Sequence, residues 1–390
     1  MFLVQVAIGV VLFATFQEYV PNTLGASDAW PGYLLAAYGG ARFVFETPTG
    51  AISDRIERKL GLLAGFGLMI PAVGLMAAFR DERAYLVFSA MLGLGTAFLW
   101  PATYAISADL YPPERRGKVI GFLNLNQLLG FGAGALAGAM VVEQEGWALF
   151  VIAIAAIGAA SITVLSAIPS YRHGGTWGWR AAEARPSVLS ILSWRLVALS
   201  ALILAASTSL SMLVPAIRPF GQDVIGVSFA TMTVALIPAI VIGAAVYVPA
   251  GHAADRFGRT RPFMAGQVLV VAGLLVVAET DVLVVAALAA IVVFLGNVLA
   301  VPAWNAAIMD LAPESHRGTL IGLAVALSGL GLAIGPAAGG VIVEAAGAPA
   351  AFRAAAAISG CVGIAAWLYG RRYGHARPAP AVVTVSTGRE

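Results

Sequence analysis

The chain has 390 residues, of which 60% are hydrophobic and only 11% are charged, and its mean hydropathy is +0.88. Soluble domains carry roughly 25% charged residues, so this composition excludes an ordinary soluble domain. The apolar residues come in runs of about 20, the length that a helix needs to cross a bilayer, whereas a membrane β-barrel has alternating strands of about 10 residues. The sequence therefore predicts an all-α integral membrane protein.

Apolar runs separated by Pro, Gly and charged residues predict twelve transmembrane helices. The first run begins at Phe2 without a preceding basic patch, so we interpret it as a membrane helix and not as a cleaved signal. The predicted spans are 2–20, 32–53, 60–79, 85–109, 118–142, 147–168, 195–217, 228–250, 263–279, 282–309, 319–343 and 349–369. They predict a six-helix bundle over 1–168, a cytoplasmic central loop over 169–194, a second six-helix bundle over 195–370 and a cytoplasmic tail over 371–390.

The basic residues predict how the chain is oriented in the membrane. Eighteen of the 23 Lys and Arg residues fall in the loops after the even-numbered spans and in the tail, and four fall on the other side: Arg80, Arg83, Arg218 and Arg353. Cytoplasmic loops carry an excess of Lys and Arg. We therefore expect these basic loops and both termini to be cytoplasmic.

The sequence repeats itself at an offset of 201 residues. Four separate motifs align without a gap, among them "DLYPPERRGKVIG" (109–121) with "DLAPESHRGTLIG" (310–322). Each half holds six spans, so both halves have the same orientation and are parallel repeats related by an axis along the membrane normal. This arrangement predicts a binding site between the halves, near mid-membrane.

One aligned pair of segments carries a family resemblance. The segments "GAISDRIERK" (50–59) and "GHAADRFGRTR" (251–261) resemble the loop motif G-x-x-x-D-R-x-G-R-K/R of the major facilitator superfamily, after the second and eighth spans. The resemblance covers almost the whole chain and includes the drug/proton antiporter-like branch. It implies two pseudo-symmetric six-helix bundles that rock against each other. Glu57 departs from the motif, which has Gly at this place, whereas the second copy keeps Gly258.

In that family the motif residues latch the two halves on the cytoplasmic side while the site faces outward. The alternative is that these charges only mark the membrane interface, although that role does not require an Asp at the same offset in both halves. The residues that the resemblance assigns to the latch are Gly50, Asp54, Arg55, Arg58, Asp109, Arg116, Gly251, Asp255, Arg256, Arg259, Asp310 and Arg317.

Two charged residues fall inside the second span. Arg42 lies about 15 Å below the outer end at 1.5 Å per residue, and Glu46 follows one turn deeper on the same face. Charges at this depth are costly and mark functional sites. We expect Glu46 to bind and release a proton under the control of Arg42, with a structural ion pair or an Arg42 anchor for an anionic substrate as alternatives. Glu18, near the outer end of span 1, is expected to be solvated at the rim.

Polar and aromatic residues in the spans that line the cavity in this family are candidates for substrate contact. They are Gln17, Tyr38, Trp100, Tyr104, Asn124, Gln127, Trp304 and Asn305. Such a set suits an amphipathic ligand. The glycine-rich runs "GFGAGALAG" (130–138) and "GLGLAIGPAAGG" (329–340) predict close helix packing. They also resemble the span-5 Gly-Pro motif of proton-driven exporters, but the Gly-Pro pair, Gly335-Pro336, lies here in span 11.

The sequence contains no phosphate-binding loop, zinc-ligand spacing or nucleophile elbow, and its single cysteine, Cys361, excludes a cysteine metal cluster. We therefore expect a transporter and not an enzyme, without cofactor or metal. The leading hypothesis is proton-coupled efflux of amphipathic small molecules. Uptake of a small metabolite or organic anion and a non-transporting sensor or scaffold are the alternatives. Expected partners are a small-molecule substrate, protons and bilayer lipid, with no nucleic acid, for a monomer in the prokaryotic inner membrane.

Overall fold

The computed structural model describes residues 1–55, 57–110, 113–168, 194–311 and 317–373. Within these ranges the chain forms long helices and no strand, which confirms the predicted all-α class with twelve spans. Their bounds are α1 Phe2–Leu24, α2 Trp30–Arg55, α3 Arg58–Ala78, α4 Glu82–Ala97 continued by Leu99–Leu110, α5 Pro113–Val142, α6 Gly146–Ala167, α7 Trp194–Ile225, α8 Phe229–Phe257, α9 Thr260–Glu279, α10 Leu283–Leu311, α11 Arg317–Ala346 and α12 Ala348–Tyr373. The predicted central loop and tail fall largely on residues 169–193 and 374–390, outside the described ranges, so their bounds stay predictions.

Among the residues that the structure describes, eleven helices are long and apolar enough to cross a membrane. Helix α2, which carries Arg42 and Glu46 in its middle, is not one of these eleven. Large aliphatic side chains cover the outside of the bundle, with Ile162 and Val268 each 67% exposed and Val87 66% exposed. Exposed apolar surface of this extent is typical of a protein that lipid surrounds.

The repeat predicted from the sequence is visible in matching contacts of the two halves. A Cβ atom at position 65 of α3 would lie 2.7 Å from the carbonyl oxygen of Gly95 in α4, and the equivalent Gly266 of α9 lies against the carbonyl of Gly296 in α10 in the same way. Only glycine permits backbones to approach so closely. The equivalent pair of helices is therefore packed through the same glycine-to-carbonyl contact in both halves.

The two glycine-rich runs pack as predicted, each against the first helix of its own half. Gly134 of α5 lies directly against the carbonyl of Val6 in α1. The equivalent Gly335 of α11 lies against α7, where a Cβ atom would be 2.5 Å from the carbonyl oxygen of Thr208. Small residues at these positions let the helices touch along their backbones.

The two halves meet most closely where α2 of the first packs on α11 of the second. Gly32 lies against the carbonyl of Pro336, and a Cβ atom on Gly340 would be 2.7 Å from the carbonyl oxygen of Ala29. This contact is at the end of the bundle away from the Asp-Arg motif loops. We call that end the opposite end, and the end that carries residues 50–59 and 251–261 the motif end.

The first helix of each half is irregular toward the opposite end. In α1 a π-helical segment, Val10–Tyr19, interrupts the α-helix, and the hydroxyl of Thr15 donates to the carbonyl of Val10. In α7 a short 3-10 turn and a second π-helical segment, Phe220–Ile225, follow the regular helix. Both helices end on a glycine with positive φ, Gly25 at 71° and Gly226 at 79°. Segments of π-helix are rare and are frequently found at functional sites.

Candidate transport pathway

A cavity of about 510 Å³ lies between the two halves. Helices α1 and α5 line it from the first half, and α7, α8, α9 and α10 line most of the rest from the second. Its described walls are almost entirely aliphatic and aromatic, with Phe13, Phe131, Ile240 and Phe294 among them. The only polar side chains in these described walls are Thr233 and Asn297. A cavity of this size and lining suits an apolar or amphipathic small molecule.

Gln17 is fully buried in the π-helical segment of α1, and among the described residues neither atom of its side-chain amide has a hydrogen-bond partner. An unsatisfied buried polar group destabilises a protein by about 1–3 kcal/mol, so such a residue calls for an explanation. Gln17 follows Phe13 by four residues, which is about one helical turn, and Phe13 lines the cavity. The unpaired amide therefore lies about one turn beyond the cavity wall, toward the opposite end.

The charged pair predicted in α2 is present. Nη2 of Arg42 donates to Oε1 of Glu46 at 3.4 Å, and each side chain keeps 20% of its surface exposed. The buried Nε atom of Arg42 has no hydrogen-bond partner within the described part of the chain. Close N⁺–H···O⁻ bonds measure about 2.7–2.9 Å, so this pair is long and leaves part of the guanidinium unsatisfied. The hydroxyl of Thr49, next along the helix, bonds to the carbonyl of Ala97 in α4 at 2.8 Å and holds α2 in place.

At the opposite end, Glu18 of α1 is 4% exposed and lies at the centre of a polar network between the halves. Nε of Arg218, on α7, donates to Oε2 of Glu18 at 3.1 Å, and its Nη1 donates to Oδ1 of Asp28 at 2.8 Å. Arg218 also donates to the side-chain oxygen of Asn22. Gln222, one turn further along α7, donates to both Glu18 oxygens at 3.0 Å. We call these five residues the opposite-end network.

The expectation that Glu18 is solvated at the rim is therefore wrong. Depth along the helix suggested easy access to water, but Arg218 and Gln222 reach across from the second half and cover the carboxylate. Asn22 adds a bond at 2.6 Å from the same helix. The physical reason is a tertiary contact between residues 200 positions apart, which no local pattern indicates.

The remaining cavity candidates are dispersed. Tyr38 is 2% exposed within α2 and Trp100 is 5% exposed within α4, while Gln127 is partly buried in α5. Like Gln17, these three are not among the described residues that line the cavity. The side chains of Tyr104, Asn124, Trp304 and Asn305 lie outside the described part of the chain. Their contact with substrate stays a prediction.

The motif loops are described only in part. The side chains of Asp54, Arg55, Asp109, Arg116, Asp255, Asp310 and Arg317, and the surroundings of Gly50 and Gly251, lie outside the described set, so the latch stays a prediction. Of the described motif residues Arg58, Arg256 and Arg259, the guanidinium of Arg256 lies 5.5 Å from the ring centre of Phe257.

The backbone explains why Glu57 can replace the glycine of the family motif in the first loop. Gly258 ends α8 with φ at +83°, a conformation that favours glycine. Glu57 instead precedes α3 in an extended conformation, with φ −61° and ψ 132°. The first loop thus avoids a left-handed residue and accepts a side chain there.

Twelve helices in two related bundles, with a cavity between the bundles, define the architecture of a secondary membrane transporter. The chain belongs to the Major Facilitator Superfamily, whose family model matches residues 1–249 and again 239–386. Transporters of this superfamily work by alternating access, so this protein is a multi-pass membrane transporter and not an enzyme.

Relatives with known names match parts of the chain. Multidrug resistance protein 3 of Bacillus subtilis is 29% identical over 140 residues, and the inner membrane transport protein YajR of Escherichia coli is 30% identical over 142 residues. These matches span 26% and 31% of the relatives' lengths and 35% and 36% of this chain.

A solved structure similar over nearly the full length is a bacterial homolog of the human lysosomal transporter Spinster, in an inward-facing and unoccupied conformation. It is 16% identical, the match covers 97% of each chain, and the TM-score is 0.82. At that identity the likeness concerns the fold.

Proposed function

We propose that the protein exports amphipathic, mainly apolar small molecules in exchange for protons. The observation that carries this proposal is the composition of the cavity, where Thr233 and Asn297 are the only polar side chains among the described lining residues. An apolar ligand gains about 25 cal/mol for each Å² that it buries there. A sugar would leave its hydroxyl groups without partners at a cost of several kcal/mol.

Gln17 is fully buried and lies outside the described cavity wall, so the substrate's polar group would bind its amide when α1 moves during transport. This amide offers two donors and an acceptor, and none of them is used within the described chain. A molecule with an apolar body in the cavity and one polar end toward α1 would satisfy both features. The arrangement accounts for an amide that is buried at a cost in stability.

Glu46 is the proposed proton-coupling residue, with Arg42 as its switch. Arg42 and Glu46 share a single bond of 3.4 Å, and the Nε atom of Arg42 has no partner in the described chain. Both observations support a pair that separates and re-forms, because a permanent structural pair would be expected to be bidentate and fully bonded. Movement of Arg42 away from Glu46 would favour the neutral acid, and its return would release the proton.

The proposed orientation places the motif end in the cytoplasm, because most Lys and Arg residues lie there. With the opposite end closed by the α2–α11 contact and the opposite-end network, the described conformation would then face inward. The similarity to an inward-facing Spinster homolog supports this assignment.

Transport by the purified protein in proteoliposomes with an imposed pH gradient tests the proposal. We expect a gradient that is acidic on the side of the opposite end to drive efflux of lipophilic fluorescent dyes and to produce a substrate-dependent proton flux. Glu46→Gln abolishes this gradient dependence and leaves folding intact. Glu279→Gln, which removes an exposed carboxylate paired with Arg353, is the matched control and transports normally. Proton coupling that persists in Glu46→Gln would contradict the proposal.

The second candidate function is uptake of an organic anion held by Arg42. The buried Nε atom of Arg42, which has no partner among the described residues, favours it, because an incoming carboxylate could complete the hydrogen bonds of the guanidinium. The same proteoliposomes, supplied with organic acids instead of dyes, distinguish the two functions. Saturable uptake of an acid that is lost in Arg42→Gln would favour this candidate over the exporter.

A further inference from the structure

The opposite-end network has no role in the proposed coupling at Glu46, yet it joins the two halves through a buried carboxylate. Glu18 accepts from Arg218 and Gln222, which belong to the second half, and from Asn22, which belongs to its own helix. Charge-assisted bonds of this kind are the strong ones among protein hydrogen bonds. The network therefore ties α1 to α7 directly at the end where the halves are in contact.

Alternating access requires the opposite end to open, because the halves rock about the site between them. Opening removes Arg218 and Gln222 from Glu18 and also separates Arg218 from its second anion, Asp28. Asn22 remains, because it is on the same helix as Glu18. The only cation of the network thus leaves with the second half, and the carboxylate stays behind.

The charged groups that face Glu18 decide which form it takes after opening. Arg218 is the cation, while Asp28 and Glu143, at the end of α5, are anions on the same half as Glu18. Once Arg218 is gone, Glu18 has lost its cation and keeps the negative charge of Glu143 nearby. Loss of the cation and the remaining like charge both favour its neutral, protonated form.

We infer that Glu18 is a proton-binding gate residue, which holds the opposite end closed when it is ionised and lets it open when it binds a proton. The inference goes beyond the proposed function, because it concerns closure of the pathway and holds for either direction of transport. It makes opening of the opposite end dependent on the pH of the solution on that side. Low pH there populates the open form.

A distance measurement across the gate tests this inference on the full chain in lipid nanodiscs. Cys361 is exposed, so a Cys361→Ala background carries spin labels at Thr23→Cys on α1 and Ala345→Cys on α11, both at exposed positions of the opposite end. At pH 8 we expect one short distance, and as the pH falls to 5 we expect a longer distance to become the major component.

Glu18→Gln mimics the protonated residue. We expect the longer distance at every pH and an open-to-closed ratio at pH 8 raised about tenfold, the factor that corresponds to loss of one charge-assisted hydrogen bond. Arg218→Gln also opens the gate at every pH. Glu18→Asp keeps a titratable group, so we expect it to retain a pH response. Comparison with Glu18→Gln therefore distinguishes loss of the proton-binding group from a general loss of structure at position 18.

Two controls make the inference falsifiable. Glu279→Gln removes a carboxylate from the Arg353 pair, which is at the same end but within one half, and we expect it to respond to pH as the parent does. The Glu46→Gln background removes any contribution of the proposed coupling residue to the pH response. In that background we expect the gate to respond to pH through Glu18, and we expect the response to be lost when Glu18→Gln is added. A gate that has no pH response in Glu46→Gln, or that still responds in the double variant, would overturn the inference.

Discussion

Gln17 and Arg218 occupy equivalent positions in α1 and α7, 201 residues apart, but their surroundings have diverged. Gln17 is buried with no partner among the described residues, whereas Arg218 bonds to three side chains of the other half. The two helices match in the repeat, but these two positions carry different residues with different contacts. In our proposals one position binds substrate and the other closes the pathway.

Replacing Gln17 with Leu should weaken substrate binding without lowering the stability of the protein. The substitution removes an unsatisfied buried amide, so we expect the free energy of unfolding to stay the same or to rise by about 1–3 kcal/mol, while binding of dyes weakens at least tenfold. Thermal unfolding in detergent and dye-binding titrations measure the two effects.

Gln267 of α9 provides the matched control for that experiment. Its side-chain oxygen is also buried and has no partner in the ranges that the structure describes, but Gln267 packs beside Gly363 of α12 and does not line the described cavity. Gln267→Leu should not weaken dye binding. Equal loss of binding in both variants would mean that Gln17 acts only through packing.

A larger side chain in the cavity should select against bulky substrates. Ala290 of α10 lines the cavity, and Leu288 on the same helix is 59% exposed. We expect Ala290→Phe to fill part of the roughly 510 Å³ and to reduce transport of large dyes severalfold more than transport of small ones. Leu288→Phe should transport both as the parent does. Efflux assays with a size series of dyes provide the measurement, and equal effects on all sizes would argue against this cavity as the binding site.

Glycine at position 65 should be required for stability. A Cβ atom there would press on the backbone carbonyl of Gly95, and overpacking of this kind destabilises by about 1–3 kcal/mol. We expect Gly65→Ala to lower the unfolding temperature by several degrees. Gly67→Ala, on the same helix with no atom within 4 Å of the added methyl, should be neutral or slightly stabilising. Similar unfolding temperatures for the two variants would show that α3 shifts to accept the methyl group.

Paired substitutions of Arg42 and Glu46 should distinguish a working pair from a structural one. Arg42→Gln leaves Glu46 without its cation inside the membrane, where an ionised group costs about 2.5–3.5 kcal/mol, so we expect lower stability. Adding Glu46→Gln should restore stability but not pH-driven transport. Thermal unfolding and proton-flux assays on the single and double variants provide the test. Recovery of both properties in the double variant would support a purely structural pair.

Much of the fold follows from the sequence, because membrane helices must satisfy their own backbone and present long apolar surfaces. The predicted span 147–168 lies within one or two residues of the observed helix Gly146–Ala167. The glycine contacts at positions 95 and 296 also follow from the repeat. Arg42 and Glu46 were predictable as a pair because four residues make one helical turn.

The cavity and the opposite-end network were not predictable in the same way. Cavity-lining residues such as Leu236 and Ile240 have the same apolar character as residues that face lipid, so composition does not distinguish the two surfaces. The burial of Glu18 depends on Arg218, which is close only after the two halves assemble. One signal was present in the sequence. The first helix of the first half carries an acid, Glu18, near its outer end, and the first helix of the second half carries a base, Arg218, near its outer end.

The contact between α2 and α11 has a mechanical consequence. Gly32, Gly39 and Gly340 place backbone against backbone. At these glycines the two helices can part and meet again without any rotamer change. The resistance to opening therefore falls on the side-chain contacts beside them, which are the ion pair of Glu18 with Arg218 and the contact of the Phe13 ring with the Phe229 ring at 5.2 Å.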